Sequence, residues 1–198
     1  MTSRIAGREG QNNLIRAGAG LALILAGIAL FFYLRNLSLE GASEPSLVAT
    51  SVKPVAVDFP APELALADLD GKSVSLADYR QSVLLVNNWA TWCPACKAEM
   101  PTLAAYYEAH VREGLMIVAI EAGEGRDEVQ PFVQAYGLKF DVWLDPHNAS
   151  LRAFGNGNLP NSYVIDRTGT VRYAWTGPID RETLEQYITP LLARDHPG

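Results

Sequence analysis

The feature that most narrows what this chain can become is the run Val83 to Trp89 (VLLVNNW), followed within a few residues by Cys93-Pro94-Ala95-Cys96 and then by a stretch of helical spacing. A near-continuous apolar run suits a strand buried on both faces. Met100, Leu103, Ala104, Tyr107 and Val111 recur at helical intervals and predict a helix from about Pro94 to Glu113. Pro94 fits the first helical position, where a missing N–H costs nothing. The two cysteines therefore stand where a buried strand hands over to a helix. Unpaired N–H groups and a partial positive charge at such a tip favour thiolate over thiol. Cys93 is the expected nucleophile, and Cys96, one turn on, can attack a mixed disulfide formed on Cys93 and release the partner.

Around this junction strand and helix signals alternate. Leu64 to Leu76 carries apolar runs flanking Asp70-Gly71, a hairpin signal. Leu115 to Ile120 repeats the buried-strand pattern, Asp127 to Tyr136 reads as helix, and Phe140 to Leu144 as a short strand. Ala149 to Phe154 predicts a short helix, and Ser162 to Asp166 and Thr170 to Trp175 predict two strands joined through Arg167-Thr168-Gly169. A last helix is expected from Asp180, an N-cap, to about Ala193, bent at Pro190. The fold class is α/β: a central mixed sheet flanked by helices, with an N-terminal β-hairpin extension.

The N-terminal part has a different composition. Residues 17–34 (AGAGLALILAGIALFFYL) carry no charge and as a helix span about 27 Å, close to a bilayer's hydrocarbon thickness. Arg4, Arg8 and Arg16 precede the run, while Glu40 and Glu44 follow it, which places the N-terminus in the cytoplasm. The expected organisation is a cytoplasmic tail over 1–13, a transmembrane signal anchor over 14–34, a Ser- and Ala-rich linker over 35–57, and an extracytoplasmic domain over 58–198. A cleaved signal peptide is the alternative, with Gly41-Ala42-Ser43 as the small-residue site, but its apolar core is usually shorter. Residues 1–36 have a net charge of +3 and the remainder −9. An acidic soluble part argues against nucleic acid as a partner.

Two cysteines also leave room for other readings. A structural disulfide between residues three apart removes little unfolded-state entropy. A zinc site needs about four ligands, and His110, His147 and His196 have no paired spacing. A c-type haem attachment needs histidine directly after the second cysteine, and Lys97 stands there.

The stretch Trp89-Ala90-Thr91-Trp92-Cys93-Pro94-Ala95-Cys96-Lys97-Ala98-Glu99-Met100-Pro101, with Leu144-Asp145-Pro146 and Leu159-Pro160-Asn161-Ser162-Tyr163-Val164-Ile165-Asp166, resembles the membrane-anchored thioredoxin-like proteins of the TlpA, ResA and CcmG (DsbE) group. The likeness covers about residues 58–193. It implies a thioredoxin-like fold and a thiol:disulfide oxidoreductase that needs no bound cofactor beyond its Cys93–Cys96 pair. It makes Pro160 the cis-proline facing the dithiol and Leu159-Pro160 part of the substrate-binding loop. Glu99 matches an acid linked to proton handling near the cysteines, and Trp92 is expected to shield one side of the site. Asn87 stands where ordinary thioredoxins keep a buried acid, which makes Glu99 the better base. The implied partners are disulfide-containing exported proteins, apocytochrome c among the candidates, and a membrane-embedded thiol electron donor that restores the dithiol. The implied location is the cytoplasmic membrane, with the catalytic domain periplasmic where an outer membrane exists.

The chain departs from this group in having Ala95, not proline, before the second cysteine, and asparagines at 156, 158 and 161 around Pro160. Two rival functions share the fold. A peroxiredoxin-like peroxidase characteristically carries threonine three positions before its reactive cysteine, where this chain has Ala90. A copper-binding chaperone would use soft thiolates, but at a longer cysteine spacing, with His147 as a conceivable further ligand.

Overall fold

The computed structural model describes residues 26–31, 33 and 52–193. The chain divides into two units, Met1–Leu47 and Val48–Gly198. In the first, residues 26–31 and 33 are helical, with Ile28, Leu30, Phe31 and Tyr33 exposed. The remainder of the expected membrane anchor, the tail before it and most of the linker lie outside the described residues. No helix among the described residues is long and apolar enough to cross a membrane.

The second unit is built on one eight-stranded mixed sheet. Its strands are β1 (Val55–Pro60), β2 (Ala65–Asp68), β3 (Ser73–Ser75), β4 (Val83–Trp89), β5 (Leu115–Ala122), β6 (Asp141–Asp145), β7 (Asn161–Ile165) and β8 (Thr170–Thr176). Across the sheet they lie in the order β1-β8-β7-β4-β5-β6-β2-β3. β4, β5 and β6 run parallel, and every other pairing is antiparallel. The helices are α1 (Pro94–His110), α2 (Arg126–Tyr136), α3 (Ala149–Ala153), α4 (Arg181–Tyr187) and α5 (Thr189–Ala193), with short 3₁₀ turns at Leu76–Tyr79 and Val111–Glu113.

All seven residues of β4 are buried, as a strand flanked by partners and covered on both faces requires. Its alternate side chains feed two cores. Val83, Leu85 and Trp89 pack with Met100, Leu103 and Tyr106 of α1, Val129 of α2 and Leu184 of α4. Leu84 and Val86 pack on the other face with Leu64, Leu76, Val118, Ile120 and Trp143, with Ala149 and Phe154 of the α3 region against them. α2 ends at Gly137, whose φ of 61° is the left-handed stop that glycine adopts at no steric cost.

The Asp70-Gly71 hairpin forms between β2 and β3, ahead of β4 in the chain, and makes one edge of the sheet, attached to β6. The other edge is β1, which pairs with β8 from Val55 onward and so begins inside the stretch expected to be linker. Its pattern is almost wholly exposed. A short strand at the end of the linker suits its apolar Val55, Ala56, Val57 and Phe59, although without alternation they carry no clear strand period. At the other end, the last helix is two segments broken at Ile188, two residues before Pro190.

Candidate active site

Cys93 is the N-cap of α1, in extended conformation, and Pro94 takes the first helical position. Cys93 and Cys96 are joined by a disulfide with Cα atoms 5.3 Å apart, and the Cys96 N–H donates to Cys93 Sγ at 3.2 Å. The helix tip thus points a backbone donor at the sulfur that carries the charge once the bond opens. Burial separates the two roles. Cys93 is 5% exposed and Cys96 is sealed at 0%, so only Cys93 offers an incoming disulfide a path.

Trp92 is 64% exposed and so takes no part in core packing; that part falls to Trp89, which packs on Phe132 with centroids 4.7 Å apart. Trp92, Cys93, Pro94 and Ala95 line one wall of an open groove of about 540 Å³, and Asn148, Leu151, Asn158 and Leu159 line the other. The Leu159–Pro160 peptide is cis. Pro160 follows Leu159, the last residue of the groove lining, and is buried, with its carbonyl accepting from the Gly177 N–H at 2.8 Å.

Glu99 is 2% exposed on the inward face of α1. Its Oε1 accepts from Asn87 Nδ2 at 2.9 Å and its Oε2 from the Ile179 N–H at 3.3 Å. Burial pushes its pKa up to about 8, because these two hydrogen bonds only partly offset the lost hydration. Glu99 is therefore largely protonated at neutral pH and can exchange a proton near the operating pH of a thiol.

Two of the asparagines that depart from the family pattern, Asn156 and Asn161, are held by polar partners, and Asn161 joins a network that begins on β4. Asn87 and Asn88 of β4 stand opposite Ser162 and Asn161 of β7. Asn87 Nδ2 also donates to Ser162 Oγ at 3.0 Å, on the Glu99 side of the sheet. On the opposite face Asn88 Nδ2 donates to Asn161 Oδ1 at 2.8 Å, and Ser150 Oγ donates to Asn88 Oδ1 at 2.6 Å. Asn161 Nδ2 donates in turn to the Asn158 carbonyl at 2.6 Å, and Asn156 Nδ2 to Thr176 Oγ1 at 2.8 Å. These bonds tie the loop before Pro160 to β4, the strand that leads toward Cys93. Reading Asn87 alone missed this ladder, although two consecutive asparagines in an otherwise apolar strand were its signal.

Sequence reasoning also missed a carboxylate brace. Glu124 accepts from the Thr91 N–H at 2.7 Å and from Thr91 Oγ1 at 2.6 Å, fixing the residue before Trp92. Asp145, fully buried, accepts from the N–H groups of Ala149 and Ser150, each at 2.8 Å, and so anchors the start of α3 beside the groove. Among the described residues no group of three or more His, Cys, Asp and Glu could hold a metal ion.

Comparison with known proteins agrees with this geometry. Residues 57–174 match the AhpC/TSA family. The chain is 32% identical over 178 residues to the thiol-disulfide oxidoreductase ResA of Geobacillus kaustophilus, covering 90% of this chain and 95% of that one. It is 36% identical over 134 residues to ResA of Geobacillus thermodenitrificans, covering 68% and 77%. Among solved structures, a Chlorobium tepidum protein assigned as the thiol:disulfide interchange protein DsbE superposes with a TM-score of 0.64 at 27% identity, covering 73% of this chain and all of that one. With its cysteine pair closed at a helix tip beside a cis-proline, the chain belongs to the AhpC/TSA family and, within it, to the thioredoxin-like thiol-disulfide oxidoreductases of the ResA and DsbE type.

Proposed function

We propose that this oxidoreductase works as a reductase of disulfides in exported proteins, apocytochrome c among its candidate substrates, from a single membrane anchor on the outer side of the cytoplasmic membrane. The observation that carries the reading is the small difference in burial between the two cysteines at the helix tip: Cys93, with 5% of its surface left exposed on the groove, attacks, and the fully sealed Cys96 resolves. In the reduced enzyme the Cys93 thiolate attacks one sulfur of a substrate disulfide, forming a mixed disulfide and expelling the other substrate sulfur as a thiolate, which takes a proton. Cys96, as its thiolate, then attacks Cys93 Sγ, breaks the mixed disulfide and releases the second substrate thiol. The dithiol has lost two electrons and the substrate has gained them. The ionised fraction of Glu99, a minority at neutral pH because its pKa is raised to about 8, takes up the proton that Cys96 must lose.

Trp92 and Leu159 hold the substrate segment in the groove over Cys93, and Pro160 shapes the loop that carries Leu159. No bound cofactor takes part, and a thiol donor embedded in the membrane restores the dithiol. The likeness to ResA and DsbE proteins and the uncharged run 17–34 support the anchored, outward-facing placement. The exposed side chains of Ile28, Leu30, Phe31 and Tyr33 suit a lipid-facing helix.

Cys96→Ser in cells tests the reading. It is expected to accumulate mixed disulfides between Cys93 and exported proteins, recoverable from membranes. Partners drawn only from the cytoplasm, or no partner at all, would overturn the proposal. Purified protein should reduce insulin with dithiothreitol as donor and lose that activity in Cys93→Ser.

A further inference from the structure

β5 ends in a charge for which its apolar surroundings give no reason. Glu121 is the penultimate residue of the strand and is fully buried, flanked in the ladder by Trp89 of β4 and Leu144 of β6. The chain then turns at Gly123, with φ of 106°, and brings back the Glu124 N–H, which donates to Glu121 Oε2 at 2.8 Å. Glu121 Oε1 has no hydrogen-bond donor among the described residues. The charged groups acting on Glu121 are Glu124, in the turn, and Asp145, at the end of β6, both acidic. Lys97 of α1 acts on Glu124.

An ionised Glu121 would carry uncompensated charge in the interior beside two acids. A neutral one resolves both difficulties, since its O–H donates to the Glu124 carboxylate through the oxygen that otherwise lacks a partner. We infer that Glu121 is a positioning residue for the thiol-disulfide reaction: as a neutral acid it shares its proton with Glu124 and so holds Glu124 against Thr91, from which the Trp92-Cys93 tip extends.

The two carboxyls are displaced in opposite directions. Burial first, and the Glu124 carboxyl next, push Glu121 up to about 8. For Glu124 burial acts upward, but the hydrogen bonds from Thr91 and Glu121 outweigh it and hold the group below the ordinary carboxylate value. That is the behaviour of two acids sharing one proton. Between the lowered Glu124 value and about pH 8 the pair carries a single negative charge and Thr91 is held. Above it both groups ionise beside Asp145, and repulsion turns Glu124 away from Thr91.

The inference rests on Cys93 as the attacking sulfur, but its test reads the loop directly and fails independently of that role. In the oxidised full chain, where neither sulfur titrates, NMR would follow the Glu121 side-chain carboxyl and the Thr91 amide across roughly pH 5 to 10, a range that brackets ordinary and raised carboxyl values. The carboxyl should titrate near pH 8 and the Thr91 amide should shift with the same midpoint. In Glu121→Gln the Thr91 amide should stay flat, while in Glu99→Gln it should still move. In the reduced protein, alkylation of Cys93 should lose one inflection of its pH profile in Glu121→Gln, whereas a purely structural role would scale the rate equally at every pH. A Glu121 carboxyl that titrates at the ordinary carboxylate pH, or a Thr91 shift that persists in Glu121→Gln, would overturn the inference. Should that variant not fold, the Glu99→Gln protein decides: coincident Glu121 and Thr91 midpoints that persist there support the proton-sharing pair, and separate midpoints exclude it.

Discussion

At the scale of single residues, the site is governed by polar groups placed where water cannot reach them. Glu99 binds its proton more tightly in the folded chain than in the unfolded one, with a pKa raised from 4.5 to about 8. The folded state then holds more protons between those two values, so stability falls as pH rises through that window and is level beyond it. Glu99→Gln should therefore melt at a higher temperature than wild type at pH 9 and at an equal or lower one at pH 4.5. Thermal melts at the two pH values check this, and a difference of the same sign at both would remove Glu99 as the cause. Asn88 is the hub of the other network, and Asn88→Ala leaves both Ser150 Oγ and Asn161 Oδ1 buried without that partner. A loss of about 1–3 kcal/mol is expected, the usual cost of an unsatisfied buried group, measured as a lower urea midpoint. The placement of Cys93 as the helix cap, with Cys96 one turn on, was legible in the spacing and in Pro94. The partners of Asn88, Glu121 and Glu124 were not, because each is supplied by a segment distant in the chain or by a turn with no motif of its own.

At the scale of elements, local rules predicted most of what forms. α1 starts at Pro94 because the proline is preorganised there, and α4 starts after Asp180, whose Oδ1 accepts from the Thr183 N–H at 2.8 Å. Asp180→Ala should cost about 1 kcal/mol, the typical worth of such a cap, read from the same urea transitions. α1 and α4 are latched by a group no periodicity reveals: His110 Nδ1 lies 2.9 Å from Glu113 and its Nε2 lies 3.1 Å from Glu185 of α4. Burial acts to lower the His110 pKa, but hydrogen bonds and the charges of both glutamates outweigh it, and the net shift is upward from 6.5. The latch's contribution is thus fully present below 6.5 and is lost as pH rises through the raised folded value. His110→Asn should lower the melting temperature clearly at pH 6 and much less at pH 9, where the imidazole has lost its charge. An equal loss at both would show that packing against Tyr106, at 4.6 Å between centroids, outweighs the charge.

At the scale of the whole molecule, the two sheet edges are what the linear pattern could not place. β1 covers the open side of β8 through pairs such as Val55 with Ala174 and Phe59 with Val171, and an uncovered edge of that kind invites pairing with other chains. A chain lacking residues 1–51 should keep its urea midpoint and show no strand-edge aggregation, while one lacking 1–60 should lose stability and aggregate in size-exclusion chromatography. Equal behaviour of the two would show β1 to be dispensable. The buried central strands, the helix tip with its dithiol and the thiol-disulfide chemistry those two cysteines suit follow from the sequence by itself, because they depend on short-range quantities: apolar runs, a proline's fixed φ and the three-residue gap between cysteines. Only the tertiary structure decided which strand lies at each edge, that Asn87 and Asn88 meet Ser162 and Asn161 across the sheet, and that Glu99 and Glu121 are buried acids rather than surface charges. Those outcomes depend on which distant segments exclude water from a given side chain, and burial of that kind has no period along the chain.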